Sequence, residues 1–437
     1  MAIYLWKEGK RLMLPPEYFT NKEDRLLELY RQLEDFILKD ITRRLLSARE
    51  MTATADRLIW KLKQMGESQA AIEKKLQALT GLTRKELRAL LQDAVMTSWE
   101  DDRATLGQLG IELSNPLKNP AVIRIMDAEY KKSLGELTNL TRTTMKQSQI
   151  DLINMLDEAD LRVAAGVQSY SAAACDILDR YAGKGIEVSY PTGAKRTLES
   201  AIRMVVVTSM NQTAAQITNQ YIVEGNIEYV LVSAHPNART GSKGQPAFSS
   251  HMDWQGLPYK IVGSELGFPN LEEKTGYRID PKTGQGTVTH VTALHGINCR
   301  HGHRPFAKGL NNPYRDKEGN LLDGNGNRLD DETVKNNYQL SQKQRAMERS
   351  LRAWKRKLIV KEQEIAGVAE TDVKEILQRD YDRMAYQLTQ KNKAYNDFCS
   401  ANDLQPQYDR IKVADFGREQ TKQANHGARR YKKEKEE

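Results

Sequence analysis

The first 180 or so residues constrain the fold most, because their apolar side chains recur at helical spacing. Leu26, Tyr30, Leu33, Ile37, Ile41 and Leu45 follow one another at steps of three and four, which stacks them on one helical face. Thr20 followed by Glu23 has the form of a capping box, each side chain placed to satisfy a free N–H at the helix start. The pattern predicts a second helix over about 56–80, ended by Gly81. A third helix, capped by Thr83 with Glu86, carries Leu87, Leu90, Leu91 and Val95. Asn115-Pro116 and Asn119-Pro120 then punctuate the chain, and helix is predicted again over about 121–182 and 197–223. Between those two, Ile186, Val188 and Tyr190 alternate with polar residues before a Pro191-Thr192-Gly193 turn, which is the period of a strand.

Residues 226–306 have another texture. Apolar pieces are short, as in Tyr229-Val230-Leu231-Val232 and Tyr259-Lys260-Ile261-Val262, and glycine, proline and histidine are frequent. This predicts a small β-containing module with long loops. From about 308 to 333 the chain is polar, centred on Asp323-Gly324-Asn325-Gly326-Asn327, with little to bury. A basic helix is expected over about 338–366, another over about 370–401, and a frayed, charged tail after Phe416. The fold class is therefore mainly α with a small α+β module. With 437 residues, more than one core is expected. The segments read as a helical region at 1–184, an α+β module at 185–306, a polar loop at 307–337 and a basic helical region at 338–437.

Bulk properties exclude several classes. No stretch approaches the ~18 apolar residues of a membrane span. The start, Met-Ala-Ile-Tyr-Leu-Trp-Lys-Glu, lacks the basic and apolar regions of a signal peptide. Cys175, Cys299 and Cys399 are odd in number and far apart, so no disulfide framework is expected and a reducing cytoplasm suits the chain. A net charge of +8 permits a polyanionic partner without requiring one.

Six of the seven histidines, His235, His251, His290, His295, His301 and His303, fall within 226–306. Imidazole and thiolate are natural zinc ligands. Cys299, His301 and His303 would share one face of a strand, but its ends would lie ~13 Å apart. One metal would take an adjacent pair with further donors from His235, His251 or His295. The set His251, Cys299 and His301 is thus the candidate for a structural zinc. Histidines that merely hydrogen-bond ordered loops are the favoured alternative, and no cofactor is expected on that reading. Catalysis by Cys299 with His295 or His301, or by His251 with Asp253, lacks an accompanying oxyanion element or nucleophile signature, so no catalytic residue is assigned. The Asp323-x-Asn325-x-Asn327 spacing lacks the Gly and Glu a calcium loop needs, having Arg328 and Val334 there, and reads as a polar turn.

Residues 341–361 hold eight Lys or Arg against the single acid Glu348. Met347, Leu351, Trp354 and Leu358 form an apolar stripe, while Arg345, Arg349, Arg352 and Arg356 form a second row about 200° around the helix. That row is the candidate DNA contact, with a solvated charged face as the alternative.

The run Val232-Ser233-Ala234-His235-Pro236-Asn237-Ala238-Arg239, followed by His251-Met252-Asp253-Trp254-Gln255-Gly256, resembles the phage minor capsid protein 2 family. So do Gly296-Ile297-Asn298-Cys299-Arg300-His301 and Arg304-Pro305-Phe306. Ser189-Tyr190-Pro191-Thr192-Gly193 with Arg203 and Thr208, and Tyr338 with Arg345, Glu348 and Arg349, fit the same pattern. The family is more distantly similar to the Mu F-like head morphogenesis proteins. His303, and an inserted-looking Gly241-Ser242-Lys243-Gly244 stretch, lie outside the pattern. The resemblance implies a structural protein of a tailed-phage head, near the portal, made in a bacterial cytoplasm during lytic growth or from a prophage. It implies portal and capsid proteins as partners, with packaged DNA as a further one. A metal-dependent hydrolase or effector using the His/Cys module is the competing class, and a DNA-binding accessory protein of the virion a third.

Overall fold

A computed structural model of the chain describes residues 18, 22, 24–48, 54–190, 193–368 and 371–436. The Thr20/Glu23 pair and Pro191-Thr192 lie outside the described residues. Helices α1 (Asp24–Ser47), α2 (Thr54–Gly107), α3 (Pro120–Ala164) and α4 (Tyr170–Lys184) lead to a hairpin of β1 (Glu187–Ser189) and β2 (Lys195–Thr197). Helix α5 (Leu198–Glu224) precedes a run of short elements: β3 (Tyr229–Val232), β4 (Pro258–Lys260), α6 (Leu271–Thr275), β5 (Tyr277–Ile279), β6 (Gly286–Val288) and β7 (His303–Phe306). Helices α7 (Asp331–Gly367), α8 (Thr371–Ala401) and α9 (Arg418–Glu436) follow. The chain is mainly α with a small β module, as its periodicities predict.

Two compact units interleave along the sequence. One gathers 24–84, 137–202 and 342–437; the other gathers 85–136 and 203–341 with the described residues before 24. In the first, helical unit the whole predicted stripe Leu26, Tyr30, Leu33, Ile37, Ile41 and Leu45 is buried. The stripe on α7 also packs as expected: Leu351 and Leu358 are buried, and Met347 and Trp354 half-buried, against Tyr381, Met384, Ala385 and Leu388 of α8.

Four expectations need correction. Gly81 does not end a helix, and Thr83 does not cap one, because α2 runs unbroken through both. One helical glycine costs only about 1 kcal/mol relative to Ala, and good helix formers surround it. The tail is not frayed: α9 packs on α8, with Ala424 and Ala428 buried and Arg430 gripping both carboxylate oxygens of Asp382 at 2.7 Å. The arginine row does not face outward as one. Arg352 and Arg356 are buried, Arg352 pairing with Glu199 at 2.8 Å and Arg356 with Glu34 at 3.7 Å. Two buried carboxylates require cationic partners, and that requirement turns these side chains inward. Arg349 remains exposed, and Arg345 is half-buried.

The fourth concerns the border at 306 and the polar stretch beyond it. Tyr314, Leu329 and Val334 pack with Leu231, Ala234, Ala238 and Phe306 in one core of the second unit, so that core crosses the border. The Asp323 carboxylate accepts from the backbone N–H groups of Asn325 and Asn327, both at 2.8 Å, which is the polar turn the spacing predicted.

The second unit centres on α5 and a three-stranded antiparallel sheet in the order β4-β3-β7. In register, Val230 faces Tyr259 and Pro305, and Val232 faces His303. Pro305 therefore sits on an edge strand, where its missing N–H costs least. Within this unit α5 is apolar on most of its surface, burying Val205, Val206, Val207, Met210, Ala214, Ala215, Ile217, Tyr221 and Ile222, as a helix enclosed by its neighbours must. Among the described residues, no helix is long and apolar enough to cross a membrane.

Candidate metal centre

Three loops bring the histidines together. Strand β3 runs directly into His235, whose backbone N–H donates to Gln255 Oε1 at 2.9 Å. A short 3-10 turn holds His251, its N–H donating to the Arg239 carbonyl at 2.8 Å. The loop before β7 supplies Cys299 and His301. Asn298 sits there at φ +57, in the left-handed region that asparagine tolerates better than most residues. Asn211 of α5 fixes the loop from beneath, donating to the carbonyls of Cys299 at 3.2 Å and His301 at 3.0 Å.

The result is a buried triad. His251 Nδ1, Cys299 Sγ and His301 Nδ1 all lie within 4.8 Å of one another. The two Nδ1 atoms are 3.3 Å apart, and the sulfur is 3.9 Å from the first and 3.8 Å from the second. The outer nitrogens are committed elsewhere. His251 Nε2 donates to the Thr292 carbonyl at 2.7 Å. His301 Nε2 donates to Gln255 Oε1 at 3.2 Å, an oxygen already identified as an acceptor by the His235 N–H. Each neutral ring therefore turns a bare lone pair inward. Burial drives the His251 pKa down to about 3 and pushes that of His301 well below the usual imidazole range, so both are neutral at pH 7. Burial also raises the Cys299 thiol.

The remaining predicted residues take supporting places. Arg239 donates to the Ile297 carbonyl at 2.7 Å, and Trp254 lies against His251 with ring centroids 4.4 Å apart while its indole N–H donates to the Phe248 carbonyl. Gly256 adopts φ +67, and a side chain there would run into Leu321. Asp253 is exposed, and Arg300 half-buried, beside the triad in sequence. His303 does not join the triad. It faces His295, with Nδ1 2.8 Å from His295 Nε2, and both are held by asparagines of α5, His295 by Asn211 and His303 by Asn219. His235 is stacked on His301 at 4.1 Å, and neither of its ring nitrogens has a hydrogen-bond partner.

The model of the family described as phage minor capsid protein 2 matches residues 14–400. The chain belongs to that family. No curated protein and no solved structure matches it. Membership makes this chain a structural protein of the bacteriophage particle. In this minor capsid protein 2 chain, the motif residues His235, Gln255, His251, Cys299 and His301 converge on one buried point, while Asn298, Gly256 and Pro305 shape the backbone around it.

Sequence reasoning missed the floor of the site. Asn211, Gln212, Gln216 and Asn219 of α5 hold loop carbonyls or histidine rings, with Gln212 donating to His295 O at 2.9 Å and Gln216 to Gly286 O at 3.0 Å. Their signal was present: four amides within nine positions of an otherwise apolar helix are costly unless paired.

Proposed function

We propose that this chain is a portal-associated minor capsid protein that acts in head morphogenesis and performs no catalysis. Its partners in this reading are the portal and the inner capsid wall, and it is made in the bacterial cytoplasm from a phage or prophage genome before entering the virion. The family match over residues 14–400 carries the proposal. The burial of His251, Cys299 and His301, each at 2% exposure or less, supports it further, because a substrate would have no path to them. Few copies follow if docking occurs at the single portal vertex. Quantitative mass spectrometry of purified virions is expected to find far fewer copies than of the major capsid protein, and deletion of the gene to give defective heads. Normal, infectious particles lacking the protein would overturn the proposal. So would a folded Cys299→Ala chain that assembles heads yet yields dead particles, which would favour an enzyme.

A further inference from the structure

The favoured reading from sequence, histidines that simply hydrogen-bond their loops, accounts for the outer nitrogens of His251 and His301 and fails for the inner ones. Thr292 O and Gln255 Oε1 can only accept, so they fix the proton of each neutral ring on Nε2. Two bare Nδ1 lone pairs then face each other at 3.3 Å, a repulsive contact unless something electrophilic lies between them. The Cys299 thiol carries one proton and can serve only one of the two. Protonating either ring would place an unpaired charge in a fully enclosed site, which is costly.

A metal ion resolves every one of these conflicts together. Around a tetrahedral zinc, nitrogen–nitrogen separations are roughly 3.3 Å and sulfur–nitrogen separations roughly 3.6 Å, from bond lengths of about 2.0–2.1 and 2.3 Å. The structure has 3.3 Å for the first and 3.8 and 3.9 Å for the second. Ligand histidines characteristically donate their other ring nitrogen to an oxygen acceptor, which orients the ring and raises its basicity; both rings do so here. One thiolate with imidazoles is a donor set suited to zinc.

We infer that His251 Nδ1, Cys299 Sγ and His301 Nδ1 bind one zinc ion, with His235, whose ring must swing out of its stacking on His301 to present a nitrogen, as the fourth ligand. Both nitrogens of His235 are buried and unpartnered beside the triad, an arrangement that is unfavourable unless something satisfies them. Binding displaces the thiol proton to solvent and leaves the metal held by one thiolate and three neutral imidazoles. With four protein ligands and no open position, the ion is structural: it ties β3, the His251 turn and the loop before β7 into one piece.

The test uses the full purified chain. Elemental analysis after expression in zinc-supplemented medium is expected to give about one zinc per chain, and a strong chelator to lower the melting temperature. Cobalt(II) added to the stripped protein should give intense visible bands of tetrahedral coordination and a near-ultraviolet sulfur-to-cobalt band. Cys299→Ser should remove the near-ultraviolet band, and His235→Gln should raise the dissociation constant at least about tenfold. Because variants of a buried site can misfold, the wild-type chain alone is decisive. Folded wild-type protein with less than about a tenth of an equivalent of metal, no cobalt spectrum and a chelator-insensitive melting temperature overturns the inference. An unchanged dissociation constant in His235→Gln removes His235 from the coordination shell.

Discussion

Replacing Glu199 with glutamine probes what holds the helical unit together. Glu199 is 4% exposed and meets two arginines, Arg31 at 3.3 Å and Arg352 at 2.8 Å. Arg31 also meets the more exposed Glu28 carboxylate at 3.5 Å and the Asp409 carbonyl at 2.8 Å, while Arg352 also meets the uncharged Arg410 carbonyl. Glutamine keeps the shape and one acceptor while deleting the buried negative charge that the two arginines share. Removing one partner of a buried ion pair costs roughly 3–5 kcal/mol. For a unit of this size each kcal/mol is roughly 2–4 °C, so Glu199→Gln should melt on the order of 10 °C below the parent. Differential scanning calorimetry at neutral pH reads this directly. The triple replacement Arg31→Met, Glu199→Leu, Arg352→Met, which removes the charges along with their desolvation cost, should recover much of the loss. A Glu199→Gln chain melting within about 2 °C of the parent would show that the arginines do not depend on this carboxylate.

Arg352→Gln should lower the melting temperature by several degrees while Arg349→Gln leaves it unchanged, since the first is buried against Glu199 and the second is exposed; equal effects would contradict the inward turn of α7. Burial raises the Asp35 pKa to about 7, so its protonated form favours the folded state, and that contribution fades as pH rises from about 4 to about 7, by up to ~1.4 kcal/mol per unit. Urea titrations at pH 5 and pH 7 should show Asp35→Asn losing less stability than the parent over that interval, and identical losses would exclude the effect. Gly256→Ala should destabilise the second unit by roughly 1–3 kcal/mol, because φ +67 is strained for alanine and its methyl would meet Leu321 and come within 3.2 Å of Tyr314 Cβ; a urea midpoint equal to the parent's would count against that packing.

The helices were legible because one buried face writes its period into the sequence, as Leu26 through Leu45 show. Their ends were less so. Gly81 carries a stop signal that packing on both sides of it overrides, and the charged residues after Phe416 hide Ala424 and Ala428, the small side chains that let α9 approach α8. Charge was the least legible property. Arg349 and Arg352 look alike in sequence, and only the placement of Glu199, 153 positions before Arg352, sends one outward and the other into the core. At the candidate centre, residue types and the spacing of Cys299 and His301 singled out the donors together with His251. The Thr292 and Gln255 oxygens that decide which nitrogen faces inward belong to loops joined only in the folded chain.

The interleaving of the units also sets a schedule for synthesis. Asp35 accepts a hydrogen bond from the backbone of Asp415, 380 positions later. At translation rates of about 5–20 residues per second, α1 waits roughly 20–75 s for that partner to emerge. During the wait its charged face, with Glu34 and Asp35, has no arginine from α7 beside it and stays hydrated rather than packed. A chain broken off before α7 would therefore lack the counter-ions that make burial of α1 affordable, and the helical unit would not close. Completion of the core thus doubles as a check that synthesis has passed α7 and reached Asp415.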